Sequence, residues 1–138
     1  SYTAHGPEGQ ELTSSINSGV ESGAKAIVTG KYYDQSIGIY VTYCVMPKMG
    51  ERPENCGPFD ITGKKNTSIW ISSHPPVYGK LIAIPFSDEG SFQVTIPLKR
   101  FIGSSDCTLV QCAITTRADH TQGDNRSADV FIPVTIKK

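Results

Sequence analysis

Hydrophobic and polar positions alternate along much of the chain. Phe92, Val94, Ile96 and Leu98 are separated by Gln93, Thr95 and Pro97, and Lys99 follows. Period two with one oily face marks a half-buried strand. Val130, Ile132, Val134 and Ile136 repeat the pattern, and Pro133 within it points to an edge strand or a bulge. Ile39, Val41, Tyr43 and Val45 form a third such face, with Tyr40, Thr42, Cys44 and Met46 on its reverse. Leu109 to Thr116 reads as a strand whose inward side is Val110, Cys112 and Ile114. Ala24 to Tyr33, Thr67 to Ser72 and a weaker Gln10 to Ile16 complete seven segments. In the Thr67 to Ser72 segment, Ile69 and Ile71 face away from Trp70.

Turn residues separate these runs: Ser22-Gly23, Asp34 to Ser36, Pro47 to Pro58, Gly63, Asp88 to Gly90, Gly103 to Asp106 and Gln122 to Ser127. No window carries a helical period. Seven short strands at near-regular spacing predict an all-β, antiparallel, Greek-key sandwich. Residues 1–10 are expected to be a flexible lead-in and residues 11–138 a single domain; Ser1-Tyr2-Thr3-Ala4 reads as a mature or trimmed start. One stretch, His74 to Phe86, breaks the rhythm with three prolines around the apolar Leu81 to Ile84. It is either a packed crossover or an oily exposed loop, and exposed oily patches tend to be interaction sites.

Composition narrows the function classes. Thirteen basic and thirteen acidic side chains cancel. No nucleic-acid partner is expected of a chain without a basic excess. No apolar run approaches a membrane span. The four cysteines, Cys44, Cys56, Cys107 and Cys112, allow three pairings. Each local pair brackets a turn, so Cys44–Cys56 and Cys107–Cys112 are the expected disulfides, each stabilising by roughly 2–3 kcal/mol. Cys107-x4-Cys112 fits a zinc knuckle poorly, and no His lies near the other two. Disulfides imply an oxidising, extracellular setting.

Candidate chemistry is sparse. His5, His74 and His120 show no metal-ligand spacing, and no metal or cofactor is expected. Asp119-His120 is a pair that can orient an imidazole, but it also suits a solvated turn. No nucleophile setting such as Gly-x-Ser-x-Gly is present. Asp60, Asp88, Glu89 and Asp124 sit in turns, where Asp bonds its own backbone. Asn66-Thr67-Ser68 and Asn125-Arg126-Ser127 have the form of glycosylation sequons. No catalytic residue is therefore assigned, and the chain is not expected to be an enzyme. The aromatic residues Tyr32, Tyr33, Tyr40, Tyr43, Trp70 and Tyr78 concentrate in the first part of the chain. Tyr and Trp offer a rigid face with a polar tip, which suits recognition.

Two cysteine motifs carry a family resemblance. Tyr43-Cys44-Val45-Met46 is followed by Asn55-Cys56. Later comes Ser105-Asp106-Cys107-Thr108-Leu109-Val110-Gln111-Cys112-Ala113-Ile114, then Asp119. Over roughly Gly23 to Ile136 the chain resembles the neocarzinostatin-like family, secreted actinobacterial sandwiches that include enediyne apoproteins. The resemblance implies a seven-stranded immunoglobulin-like sandwich, a cleft at one end floored by Cys44 and Cys56, and a second disulfide closing a tight hairpin. Met46 stands where the carriers place a stacking aromatic. The long ribbon that walls the carrier cleft between strands five and six is replaced by Phe101 to Ser105, which implies an open, shallow cleft.

The function expected is a non-catalytic binding module of a bacterium, secreted or on the cell surface and monomeric. Its partner would be a small molecule, a glycan or a surface protein, with a flat or extended partner suiting a shallow cleft. Its site would comprise Tyr40, Cys44, Met46, Cys56, Trp70 and Tyr78. The alternatives are a structural or adhesin spacer without a pocket, and a carrier of an antibiotic chromophore or of haem, whose iron Tyr or His can hold.

Overall fold

The alternating faces assemble into two antiparallel sheets. The computed structural model describes residues 1–58 and 67–138. Asp60, Gly63 and Asn66, singled out above, lie outside the described residues. Among the described residues ten strands run in chain order: β1 Tyr2–His5, β2 Glu11–Ser14, β3 Ala24–Lys31, β4 Ile39–Val45, β5 Ser68–Ile71, β6 Phe92–Leu98, β7 Phe101–Ile102, β8 Ser105–Asp106, β9 Cys112–Ala118 and β10 Val130–Val134. One sheet has the order β1-β2-β3-β6, the other β10-β9-β4-β5, and β7-β8 is a small separate ribbon. The other regular elements among the described residues are three short 3₁₀ turns.

The core is the sum of the oily faces read from the sequence. Leu12, Ala26, Val28, Ile39, Val41, Tyr43, Ile96, Leu98, Ile114, Ile132 and Val134 from both sheets are buried in one cluster. β10 is an edge strand, which is why Pro133 is tolerated there. In β3, Gly30 faces Phe92 across the ladder, and the Phe92 ring covers the space that a side chain would take. A ring lying over a strand glycine restores packing that the glycine gives up.

Three expectations change. Residues 2–5 of the expected lead-in form β1, paired to β2 from Tyr2–Ser14 to His5–Glu11. Its side chains are mostly exposed, so it has no oily face to announce it. The penultimate long strand starts at Cys112, not Leu109, and Val110 is exposed rather than inward. Asp106 explains this. Its carboxylate accepts from Thr108 N and Oγ1, and its carbonyl from Leu109 N and Val110 N, turning the chain back toward the Cys107–Cys112 disulfide. The connection after β6 is not bare: β7 and β8 make a two-residue ribbon there. With β1 and this ribbon set aside, the remaining seven strands are those of the sequence reading.

Both expected disulfides are present, Cys44–Cys56 and Cys107–Cys112, and no cysteine is free. The first joins the end of β4 to residues 55–57, which continue along the same edge as β5. Val45 N donates to Asn55 O, and Gly57 N donates to Tyr43 O.

A cleft on the outer face of the second sheet

The outward face of the β10-β9-β4-β5 sheet is ordered in rows by strand register. Tyr40 on β4 stands opposite Arg117 on β9 and Trp70 on β5. The next row is Thr42, opposite Thr115 and Ser68, and then Cys44 opposite Ala113. The first row is therefore large and amphipathic and the next two are small, so a hollow forms between the bulky row and residues 52–57. The hollow is a cleft of about 300 Å³ lined by Tyr40, Arg52, Glu54, Cys56, Gly57, Ser68, Arg117 and His120.

A hydrogen-bonded cluster builds one wall. Tyr40 Oη lies 2.6 Å from His120 Nδ1, and Tyr78 Oη lies 2.6 Å from His120 Nε2. Both ring nitrogens of His120 are thus engaged by phenols. Behind them Trp70 is 3% exposed and donates its indole N–H to Asp119 Oδ2 at 2.9 Å. Asp119 also accepts from Thr121 N at 2.9 Å, capping the 3₁₀ turn His120–Gln122 that carries the imidazole. Gly79 lies flat against the Trp70 ring, where a methyl group would collide. That contact brings Tyr78 to the rim, 65% exposed.

The electrostatics of this row are uneven. The Arg117 guanidinium sits 5.3 Å from the Tyr40 ring centroid, a cation–π distance. Burial, and then the like charges of Arg52 and Arg126, push the Arg117 pKa down. Burial chiefly, and then the charge of Asp119, push the Tyr40 phenol up. Asp129 continues toward β10 beside Arg126, its Oδ2 3.1 Å from Arg126 Nη1. Burial outweighs both neighbouring arginines and raises the Asp129 pKa to about 6. Asp106 goes the other way: the Arg100 fork and Thr108 hold its carboxyl well below the usual range.

These two carboxyls have opposite linkage to folding. The folded state keeps the Asp129 proton up to about pH 6, whereas the unfolded chain loses it near 3.8. The Asp129 contribution to stability is therefore full below that lower value and lost as pH rises through 6. Asp106 contributes above 3.8, and its contribution disappears as pH falls toward its depressed pKa. Carboxyl-carbon NMR titration should show Asp129 with a midpoint near 6 and Asp106 still ionised where other carboxyls are half protonated. A normal midpoint for Asp129 would mean that water reaches it.

The residues expected from sequence fall into different places. Tyr40 and Cys56 line the cleft. Cys44 is fully buried and Trp70 nearly so; they support the floor and wall and present no surface. Tyr78 holds His120 from the rim. Met46 lines a neighbouring, more apolar cleft of about 600 Å³ with Pro7, Pro47, Met49 and Phe131. His74 to Phe86 is part packed crossover and part exposed loop: Phe86 enters the core, while Val77 and Leu81 are exposed. Arg52, Arg117 and the placing of His120 were missed. Arg117 follows from alternation on β9 only once its pairing with Tyr40 is known, and Arg52 sits in a loop without periodicity.

No family model matches the sequence, and no curated protein does. Among solved structures, macromomycin superposes with a TM-score of 0.59 over 92% of this chain and 98% of that chain, at 14% sequence identity. The fold is neocarzinostatin-like. At that identity the likeness concerns the fold, and the side chains of the cleft must speak for the function.

Proposed function

We propose that the chain is a non-catalytic, extracellular binding module of a bacterium that takes a small molecule into the cleft above Tyr40. The observation that carries this reading is the open hollow itself. A sandwich serving only as a spacer has no reason to set a half-buried tyrosine and a doubly hydrogen-bonded histidine around a hollow between the described residues. Convergent polar groups around an aromatic wall are the usual makings of a ligand pocket. His120 has both nitrogens engaged by tyrosines, so it offers no free base, which fits binding better than catalysis. Two disulfides suit a secreted protein. Among the described residues, no helix is long and apolar enough to cross a membrane.

Indole and quinoline, planar and neutral near pH 7, are suitable first probes. Their binding should move the amide resonances of Tyr40, Gly57, Ser68, Arg117 and His120 together. Tyr40→Ala should abolish those shifts without changing the dispersion of the remaining spectrum. Shifts confined to Val77–Ile84, or none in the cleft, would favour a spacer or a docking surface instead.

A further inference from the structure

Two arginines face the cleft. Arg52 and Arg117 both line it, and neither belongs to an ion pair among the described residues. The ion pairs among the described residues are Arg100–Asp106, Arg126–Asp129 and Lys137–Glu21. The nearest acid in the same row, Asp129, is thus held by Arg126. Arg117 Nε is shut off from solvent and has no hydrogen-bond partner. Among the described residues, Glu54 is the one acid of the lining; it is exposed and forms no ion pair with another described residue, so the described lining carries one net positive charge. A partly buried guanidinium without an ion-pair partner is costly, and an anionic oxygen reaching it from the cleft offsets that cost with charge-assisted, often bidentate bonds. The arginines repel one another as well, since the Arg52 and Arg126 charges both lower the Arg117 pKa.

We propose that the cleft selects a planar, conjugated acid whose carboxylate sits between Arg52 and Arg117 and whose unsaturated body lies along Tyr40 and His120. The inference rests on the cleft being the binding site and adds the chemical class of its ligand. Size agrees: about 300 Å³ is the lower end for small-molecule pockets and admits a ring with an acid group. Arg117 serves both halves of such a ligand, because its guanidinium carbon lies 5.3 Å from the Tyr40 ring centroid while the residue lines the cleft beside Arg52. Arg52, whose guanidinium lies against Gly123, also lines the cleft and supplies the second cation.

Cinnamate and its neutral amide, cinnamamide, separate the parts of this proposal. Heteronuclear NMR titration of the intact chain should place cinnamate in the cleft, with roughly ten- to a hundredfold tighter binding than cinnamamide. Arg117→Gln should bring the acid down to the affinity of the amide while leaving the amide unchanged. Arg52→Gln, in an exposed loop, should cut acid binding severalfold and keeps the test decisive if Arg117→Gln folds poorly. Equal affinity of acid and amide in the cleft would overturn the anion proposal and leave the cleft reading standing. Cleft shifts from neither compound at millimolar concentration would overturn both.

Discussion

Val94→Asp is expected to yield a chain without a cooperative fold, while Gln93→Asp, one residue away, is expected to remain folded. Val94 sits on β6 opposite Val28 and is buried in the cluster between the sheets. Gln93 points to solvent opposite Thr29. Among the described residues no lysine, arginine or histidine is buried to pair with a new carboxylate. The Asp side chain would have to enter charged, bind a proton at a cost at neutral pH, or pull β6 out of register. Each route costs about 5 kcal/mol or more, against a total stability of about 5–15 kcal/mol for a domain of this kind. At position 93 the cost is a change of strand preference at the surface, within about 1 kcal/mol. Urea unfolding followed by tryptophan fluorescence distinguishes the two. Similar midpoints for both variants would mean that β6 does not have the register described.

The same contrast explains what could be read from the chain. The faces of β4, β6 and β10 were legible because alternation is local: Phe92, Val94, Ile96 and Leu98 show their common side without knowing their partners. The turn after Asp106 was not legible in the same way. Leu109 and Val110 look like strand residues, and only the side-chain and carbonyl bonds of Asp106 reveal that they cap a hairpin closed by Cys107–Cys112. β1 was missed for the opposite reason, since an exposed edge strand needs no oily face.

The cleft is harder still to read from sequence because it is a non-local object. Tyr40, Trp70, Tyr78 and His120 come from four separate segments and meet only after β4 pairs with β5 and the Pro-rich crossover folds Gly79 onto the indole. Sequence placed Tyr40, Trp70 and Tyr78 in one site. It did not show that Trp70 is a support or that Asp119-His120 is divided, the acid going to the indole and the imidazole to the phenols.

That division makes Asp119 the residue whose loss should damage stability and cleft together. Its carboxylate is buried and accepts three hydrogen bonds, from Trp70 Nε1 at 2.9 Å, Thr121 N at 2.9 Å and Thr121 Oγ1 at 2.5 Å. Gly38 lets it lie this close to β4, because a side chain there would strike the carboxylate. Asp119→Ala orphans a buried indole N–H and uncaps the His120–Gln122 turn. The combined cost is about 3 kcal/mol, from bonds to a charged acceptor and a lost cap. Asp119→Asn should cost less, because its amide oxygen can still accept from one side while its NH₂ opposes donors on the other. A purely structural loss would end at the melting temperature. Here His120 should also move away from Tyr40 and Tyr78, and the Tyr40 phenol, no longer held up by the Asp119 charge, should ionise at lower pH. Ultraviolet titration of tyrosinate in wild type, Asp119→Ala and Asp119→Ala/Tyr40→Phe isolates that residue. If Asp119→Ala lowers stability but leaves the Tyr40 titration and cleft binding unchanged, Asp119 supports the sandwich alone and the wall of the cleft stands without it.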